Sequence, residues 1–236
     1  MICAFLFSFI IIQNGMISAS ALSTGFSVVD ISEEEQEKIE GNLQLKLITS
    51  EPTKYPVACF DVREDGMLVI GSNVGIHKQM ICVYNQGEFQ YGYTFKSAGT
   101  FEVEWDGDRI NLCFVRGDRV VSVDIDGQIL QMSKIEDTYA NNSYWYDVGA
   151  NKKSVQDQTY AIQNDLGILN FFAVGYSQLT STNADGQTTV LYDARTIASA
   201  VSLLLTITIP VFVVIVVVGV VKECIKCRRE YESRHQ

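Results

Sequence analysis

A seven-residue pattern occurs twice in this chain, as FDVREDG from Phe60 and as FEVEWDG from Phe101. A third copy matches the second at two separated places. Tyr160 corresponds to Phe101, and Asp185-Gly186-Gln187 corresponds to Asp126-Gly127-Gln128. Internal repeats of about 40 residues are typical of stacked units and of propeller blades. The chain is therefore predicted to fold as repeated units that cover one another's apolar faces.

Each copy is predicted to form four short strands. In the first copy these are Cys59–Arg63, Met67–Ser72, Gln79–Tyr84 and Glu88–Phe95. Asp-Gly turns between alternating apolar residues predict hairpins, because Gly and Asp tolerate the positive φ of a tight turn. The sequence thus predicts a mainly β fold in residues 50–196. It consists of three propeller-like, four-stranded antiparallel meanders that begin near residues 57, 98 and 157.

Residues 22–49 are predicted to form a lead-in segment. Ser32 and Glu35 make a capping box, which predicts a short helix. The alternating run LQLKLI, at Leu43–Ile48, predicts a strand that covers one open sheet edge. Closed propellers usually have four to eight blades. Three units therefore leave three architectures open: an open fan, a distorted small barrel, or closure through another chain.

Residues 1–21 have the pattern of a secretory signal peptide. Ile2–Ile12 is an apolar run with the length of a signal-peptide core. Ala19-Ser20-Ala21 provides the small residues of a cleavage site. Cleavage after Ala21 is predicted, and an uncleaved N-terminal anchor is the alternative.

A second apolar run, Ile197–Val221, contains no charged residue. As an α-helix it would be about 37 Å long, which is enough to cross a bilayer with some tilt. Basic residues follow it, and the positive-inside rule then predicts that residues 222–236 form a cytoplasmic tail. The chain is therefore predicted to be a single-pass cell-membrane protein. Residues 197–221 contact the lipid bilayer, and the main domain is extracytoplasmic.

The charge of the chain limits its partners. Its formal net charge at pH 7 is −10. Proteins that bind nucleic acid need basic surfaces to neutralise the phosphates. The sequence therefore predicts no nucleic-acid partner, and a protein or an envelope polymer is the predicted partner instead.

Four stretches of the repeat domain carry a resemblance to a known group. They are KYPVACFDVREDGMLVIGS, GEFQYGYTF, NNSYWYD and VLYD. Over about residues 50–193 the chain resembles uncharacterised membrane-anchored proteins of Gram-positive bacteria. The resemblance implies a propeller-like extracytoplasmic region followed by a C-terminal membrane helix. It implies no activity and no catalytic residue.

Few residues suit catalysis. The chain has two histidines, His77 and His235. A Ser-His-Asp or Cys-His site in the main domain would have to use His77, and a single loop histidine is more often only solvated. Paired carboxylates of the kind that hydrolyse glycosides stay open as an alternative, because acidic residues are abundant. No catalytic residue, cofactor or metal site is predicted.

The cysteines fall into two groups. Cys59, Cys82 and Cys113 lie in predicted strands, where they are expected to act as small buried apolar groups, with one disulfide as the alternative. Cys224 and Cys227 form a C-x-x-C pair just after the apolar run. This pair is a candidate for lipidation or for metal binding with a partner.

An aromatic insertion precedes the third copy. It contains Tyr139, Tyr144, Trp145 and Tyr146. Aromatic loops on a rigid β scaffold often bind ligands, so Tyr144, Trp145 and Tyr146 are candidate ligand-binding residues. The alternative is that the rings cover an open blade edge. In an extended segment Trp145 would face the core, and Tyr144 and Tyr146 would face outward.

These features predict a membrane-anchored, non-enzymatic extracytoplasmic module that binds an unknown ligand. One alternative is a cell-surface hydrolase that uses carboxylates. Another is a propeller fragment that a partner chain completes.

Overall fold

The computed structural model describes residues 22 to 234, with side chains as far as Arg229. The predicted signal segment, residues 1–21, lies outside the described residues. In chain order the elements are β1 Val28–Asp30, α1 Glu33–Leu43, β2 Lys46–Ile48, β3 Val57–Val62, β4 Leu68–Gly75, β5 Lys78–Asn85, β6 Glu88–Lys96, β7 Phe101–Asp106, β8 Arg109–Phe114, β9 Arg119–Val123, β10 Ile129–Ile135, α2 Tyr139–Val148, β11 Lys152–Val155, β12 Gln158–Gln163, a 3₁₀ helix Gly167–Phe172, β13 Gln178–Thr182, β14 Thr188–Asp193 and α3 Arg195–Arg234.

Within residues 22 to 234 the strands form three antiparallel sheets. Sheet I has the order β2-β6-β5-β4-β3, sheet II the order β1-β10-β9-β8-β7, and sheet III the order β11-β12-β13-β14. Each is a meander of four consecutive strands, and sheets I and II gain a fifth from the lead-in segment. An isolated bridge between Val57 and Tyr176 links sheets I and III. The described strands do not close into a barrel.

The lead-in segment covers sheet edges. β2 pairs with β6, where Lys46 lies opposite Thr94, so the predicted edge strand is confirmed over Lys46–Ile48, whereas Leu43 belongs to α1. β1 covers the edge of sheet II in the same way, and the sequence did not predict it. Between them, Ser32 caps α1 by accepting a hydrogen bond from the backbone N–H of Glu35, as the capping box predicts.

The repeat describes the first two sheets better than the third. Phe60 and Phe101 lie in the first strands, β3 and β7. Tyr160 lies in β12, the second strand of its sheet, so its predicted correspondence with Phe101 is wrong. The first strand of sheet III is the short β11, which has the polar sequence KKSV. The aromatic residue and the β-branched residue of the repeat therefore lie in the second strand of sheet III, whereas they lie in the first strands of sheets I and II.

Sheet I lies between the other two sheets. All five residues from Met80 to Tyr84 are buried, because both faces of β5 are covered. On one face Val69, Val83 and Phe95 pack with sheet II, and Phe95 lies 5.1 Å from Phe101, centroid to centroid. On the other face, side chains of sheet I pack with those of sheet III, namely Phe60, Ile70, Tyr84, Tyr160, Leu179 and Tyr192.

The outer sheets differ in what covers their second faces. The second face of sheet II carries Cys113 and Val120, which pack against Phe26 from the lead-in segment and Val148 from α2. The second face of sheet III carries small and polar residues: Thr159, Ala161, Thr180 and Thr182. Sheet II therefore has two apolar faces, whereas sheet III has one.

The helix α3 contains the predicted apolar run. Arg195–Arg229 is long and apolar enough to cross a membrane, and its most apolar window is 0% buried. The helix continues through Pro210 and through the described part of the predicted tail. Thr206 and Thr208 donate hydrogen bonds to the carbonyls of Ser202 and Leu204, one turn earlier. The basic residues after Val221 thus extend the same helix.

Gly71 in β4 gives the first test of the packing between sheets I and II. A Cβ atom there would lie 2.9 Å from two ring carbons of Phe101 and would also collide with the Cys59 sulfur. We expect Gly71→Ala to lower the free energy of unfolding by about 1–3 kcal/mol through overpacking. Denaturant titration of the detergent-solubilised chain measures the change.

Gly41 provides the matched control for Gly71. It lies in α1 with open space around it. Gly41→Ala should therefore raise the free energy of unfolding, by up to about 1 kcal/mol, because alanine loses less backbone entropy in a helix. Equal effects of the two substitutions would contradict the packing described for sheets I and II.

Candidate functional site

The aromatic insertion forms the helix α2, not an extended segment. Thr138 caps it by accepting a hydrogen bond from the backbone N–H of Asn141. The predicted alternation of Trp145 with Tyr144 and Tyr146 is therefore wrong, since helical residues share a face at spacings of three and four. No Gly or Pro interrupts Tyr139–Val148. The absence of Gly and Pro, together with Thr138 as a capping residue, is the sequence signal for this helix.

One face of α2 is fixed to sheet II and to the lead-in segment. Asn141 is buried, and its amide nitrogen donates to the carbonyls of Ser27 and Glu136 at 2.9 and 2.7 Å. Its amide oxygen accepts from the backbone N–H of Ser27 at 2.8 Å. The triplet Asn141-Asn142-Ser143 has the form of a glycosylation sequon. In the folded chain, however, the Asn141 amide is enclosed and fully hydrogen-bonded.

Tyr144 and Trp145 lie on this inner side of the helix. Both rings contact Phe26, at centroid distances of 4.7 Å. The Tyr144 hydroxyl donates a hydrogen bond to Glu104, and burial together with this carboxylate raises the pKa of Tyr144. Gly25 lies directly over the Tyr144 ring and leaves no space for a Cβ atom. Two of the three candidate ligand-binding residues are thus partly buried by the lead-in segment.

Tyr146 and Tyr139 form the exposed face of α2. Tyr146 is 82% exposed and Tyr139 is 91% exposed. They are seven residues apart, so they lie two turns apart on one side of the helix. Asn142 and Ser143, which lie between them, are also exposed. We call this surface the tyrosine face. Tyr139 belongs to the aromatic insertion but is not among the predicted site residues.

A partly buried ion pair lies where the first strands of the three sheets meet. Asp61 in β3 accepts from the Lys153 ammonium in β11 at 3.0 Å and from the backbone N–H of Trp105 in β7 at 2.7 Å. Asp61 and Lys153 are each only 15% exposed. Both oxygens of the Asp61 carboxylate are therefore used within the fold.

Glu102 is a further partly buried carboxylate in this region. It occupies the same position in its repeat as Asp61, directly after the phenylalanine. Loss of water raises the pKa of Glu102 to about 7, and Lys153 opposes that rise. Its carboxylate lies beside Gly149, at the end of α2. Glu102 is therefore the group in the described chain that titrates near neutral pH because of its surroundings.

Two cavities bear on whether these carboxylates form a catalytic site. One, of about 560 Å³, lies beside Asp61 and is lined by Arg63, Asp65, Trp105 and Asp108, but not by Glu102. Its charges pair internally, because Arg63 contacts Asp65 at 2.7 Å and Asp108 at 2.6 Å. The larger, of about 690 Å³, lies between α1 and the sheet ends and includes His77 and Arg119. Neither cavity brings Asp61 and Glu102 together as a catalytic pair.

The cysteines of the sheets are free, buried thiols. Burial raises the pKa of Cys59 and Cys113 well above the usual range and that of Cys82 to about 12. They act as small apolar groups, and the alternative of a disulfide among them is wrong. Cys224 and Cys227 are exposed on α3, and their role as a lipidation or metal pair stays a prediction. Among the described residues, no three His, Cys, Asp or Glu side chains are placed to hold a metal ion.

Comparisons with protein-family models, with curated proteins and with solved structures found no match to this chain.

Glu102 predicts a pH dependence of stability. Its pKa in the folded chain, about 7, exceeds its ordinary value of 4.5, so the folded state binds the proton more tightly. The stability that it contributes is present at acid pH and is lost as the pH rises through 7. We expect Glu102→Gln to raise the melting temperature at pH 8 and to leave it nearly unchanged at about pH 4, below the ordinary pKa of the carboxyl group, as measured by circular dichroism. The same difference at both pH values would contradict the assignment.

Proposed function

We propose that this chain is a single-pass membrane protein whose sheets bind a protein or an envelope polymer without catalysing a reaction. The observation that carries the membrane anchor in this proposal is α3. Its run Ile197–Val221 has no charged residue, and its most apolar window is 0% buried. Exposed to water, such a surface would be unstable, whereas in hydrocarbon the helix satisfies its own backbone hydrogen bonds.

The charges around α3 support an orientation. Lys222, Lys226, Arg228 and Arg229 follow the apolar run directly. At the other end Arg195 is neutralised by Asp193 at 2.7 Å and by Asp165 at 3.2 Å. Positive charge therefore accumulates on the C-terminal side, which favours a cytoplasmic C-terminus and extracytoplasmic sheets.

The arrangement of the sheets supports a propeller-like assignment. Each sheet is a meander, and the first strands of the three sheets lie together around Asp61. We assign them as three blades of an incomplete propeller, with a signal peptide that is removed after Ala21. This assignment agrees with the resemblance to membrane-anchored proteins of Gram-positive bacteria. The polar second face of sheet III gives no support to completion by a further blade from a partner.

The tyrosine face of α2 is the surface that we assign to binding. Tyrosine combines a large apolar ring with a polar hydroxyl and is enriched where proteins contact partners. Tyr139 and Tyr146 are held by a helix whose other face is packed, so little order is lost when they bind. Trp145 and Tyr144 contribute by fixing that helix.

A second candidate function is a surface hydrolase. Glu102 favours it, because a carboxyl group with a pKa of about 7 suits general acid catalysis at neutral pH. Asp61 is committed to its ion pair, so the second carboxylate would have to come from elsewhere. Glycoside or ester turnover by the full chain that is lost in Glu102→Gln would favour this candidate over binding.

The orientation predicts which thiols can be labelled. On intact cells a membrane-impermeant maleimide should leave Cys224 and Cys227 unlabelled, and it should label both after permeabilisation. A Ser143→Cys variant places a thiol on exposed α2 as the positive control. Labelling of Cys224 and Cys227 from outside would reverse the proposed orientation.

The tyrosine face predicts the effect of a double substitution. Tyr139→Ala with Tyr146→Ala should abolish retention of the partner when envelope extract is passed over the immobilised full chain. The melting temperature should stay within about 2 °C of the unsubstituted chain, because exposed substitutions usually change stability by at most about 0.5 kcal/mol.

Ile125→Ala is the matched control for the tyrosine face, since Ile125 is exposed in the turn before β10. This variant should retain the partner fully. Equal retention by the double variant and the control would remove the tyrosine face as the binding site.

A further inference from the structure

An apolar loop projects from sheet III beside the start of α3. This juxtamembrane loop, residues 166–175, connects β12 to β13 and contains the 3₁₀ helix. Ile168 is 93% exposed, Phe171 is 85% exposed, and Val174 is also exposed. No charged residue occurs between Asp165 and Asp185. Most loops at a protein surface are polar. Exposed apolar side chains that lie together, as here, indicate contact with an apolar partner.

The loop packs on the first turns of the membrane helix. The 3₁₀ helix contacts α3. Ala198 and Ser202 of α3 are buried, although most of the apolar run around and after them is exposed. They are four residues apart and therefore lie on one face of the helix. The juxtamembrane loop thus lies beside the beginning of the apolar run.

The depth of that position follows from helix geometry. Ser202 comes five residues after Ile197, which corresponds to about 7 Å along the helix axis. The whole apolar run measures about 37 Å, which exceeds the hydrocarbon thickness of about 30 Å by a similar length. The loop therefore lies at the boundary between the headgroups and the acyl chains. Apolar side chains of peripheral helices insert about 5–10 Å into that boundary.

The loop is built to tolerate a region that is poor in water. The Asn170 side chain accepts a hydrogen bond from the backbone N–H of Leu166 at 2.9 Å. The Asn170 carbonyl accepts from the backbone N–H of Ala173 at 3.2 Å. At the base of the loop, Asp165 pairs with Arg195 at the start of α3. These polar groups are paired within the loop or with α3, whereas Ile168, Phe171 and Val174 are exposed.

We propose that the juxtamembrane loop inserts Ile168, Phe171 and Val174 into the lipid leaflet nearer the sheets. The inference rests on the proposed function, in which α3 spans the bilayer. The bilayer is the occupant because the loop continues the apolar surface of α3 at the same depth. Two contacts, one through a helix and one through a loop, fix the tilt of the sheets relative to the membrane. A single helix would leave that tilt free.

Tryptophan fluorescence in vesicles tests the insertion. The full chain carrying Phe171→Trp is reconstituted in phosphatidylcholine vesicles, with brominated acyl chains as the quencher. The emission added by the new tryptophan should shift to shorter wavelength and be quenched. Quenching should be stronger with bromine near the headgroup than with bromine near the chain end. The unsubstituted chain gives the background from Trp105 and Trp145.

Ala184→Trp is the matched control. Ala184 is exposed in the turn between β13 and β14. It therefore lies at the opposite end of β13, about 17 Å from the loop. Its added emission should be unaffected by brominated lipid. Quenching of both tryptophans to the same extent would contradict the proposed position of the loop.

Flotation of the same vesicles separates the two proposals. A chain that fails to float with lipid overturns the membrane anchor and the insertion together. A chain that floats, but whose Phe171→Trp emission is not quenched, overturns the insertion alone. A blue shift without quenching in floating vesicles would also overturn it, because it would mean that a second copy of the chain covers the loop. Quenching in floating vesicles, with no quenching of Ala184→Trp, supports the insertion.

Discussion

The Asp61 carboxylate makes polar contacts that join all three sheets. Its two oxygens accept from Lys153 of sheet III and from the backbone of sheet II, while Asp61 itself belongs to sheet I. A carboxylate and an ammonium that are largely removed from water stabilise a fold only when their geometry is good, and the loss of one partner is strongly destabilising. The apolar faces bring the sheets together, and the Asp61 contacts link their first strands β3, β7 and β11. The helix α2 leads into β11, so it is connected along the chain to Lys153.

Much of the fold could be predicted from the sequence, and part of it could not. The Asp-Gly turns and the apolar strands of the first two repeats predicted their meanders, because turn chemistry and residue alternation are local signals. The predicted start of the third unit was one strand too late. The reason is that β11 is short and polar, and the tyrosine that resembles Phe101 belongs to β12. The helix α2 was missed because its aromatic residues suggested a strand-like segment. Its burial depends on Phe26 and Glu104, which are distant in sequence and could not be inferred from local pattern.

The candidate site, too, could be predicted only in part from local sequence pattern. Tyr146 was among the predicted binding residues, and its exposure is compatible with that role. Tyr144 and Trp145 were predicted with it, yet they pack inward, because a helix places residues 144, 145 and 148 on one side. At the C-terminal end, composition alone identified the apolar run. The exposed loop beside it is recognised only in three dimensions, where Ile168 and Phe171 lie near a helix whose surface is also apolar and exposed.

A double-mutant cycle on Asp61 and Lys153 tests most directly whether one partly buried ion pair holds the sheets as a unit. The free energy of unfolding is measured by denaturant titration of the full chain in detergent for Asp61→Asn, Lys153→Met and the double variant. Each single substitution should cost about 3–5 kcal/mol, because it leaves a buried polar group without its partner. The double variant should lose less than the sum of the two, with a coupling energy of about 0.5–3 kcal/mol. Additive losses, with no coupling, would contradict the account.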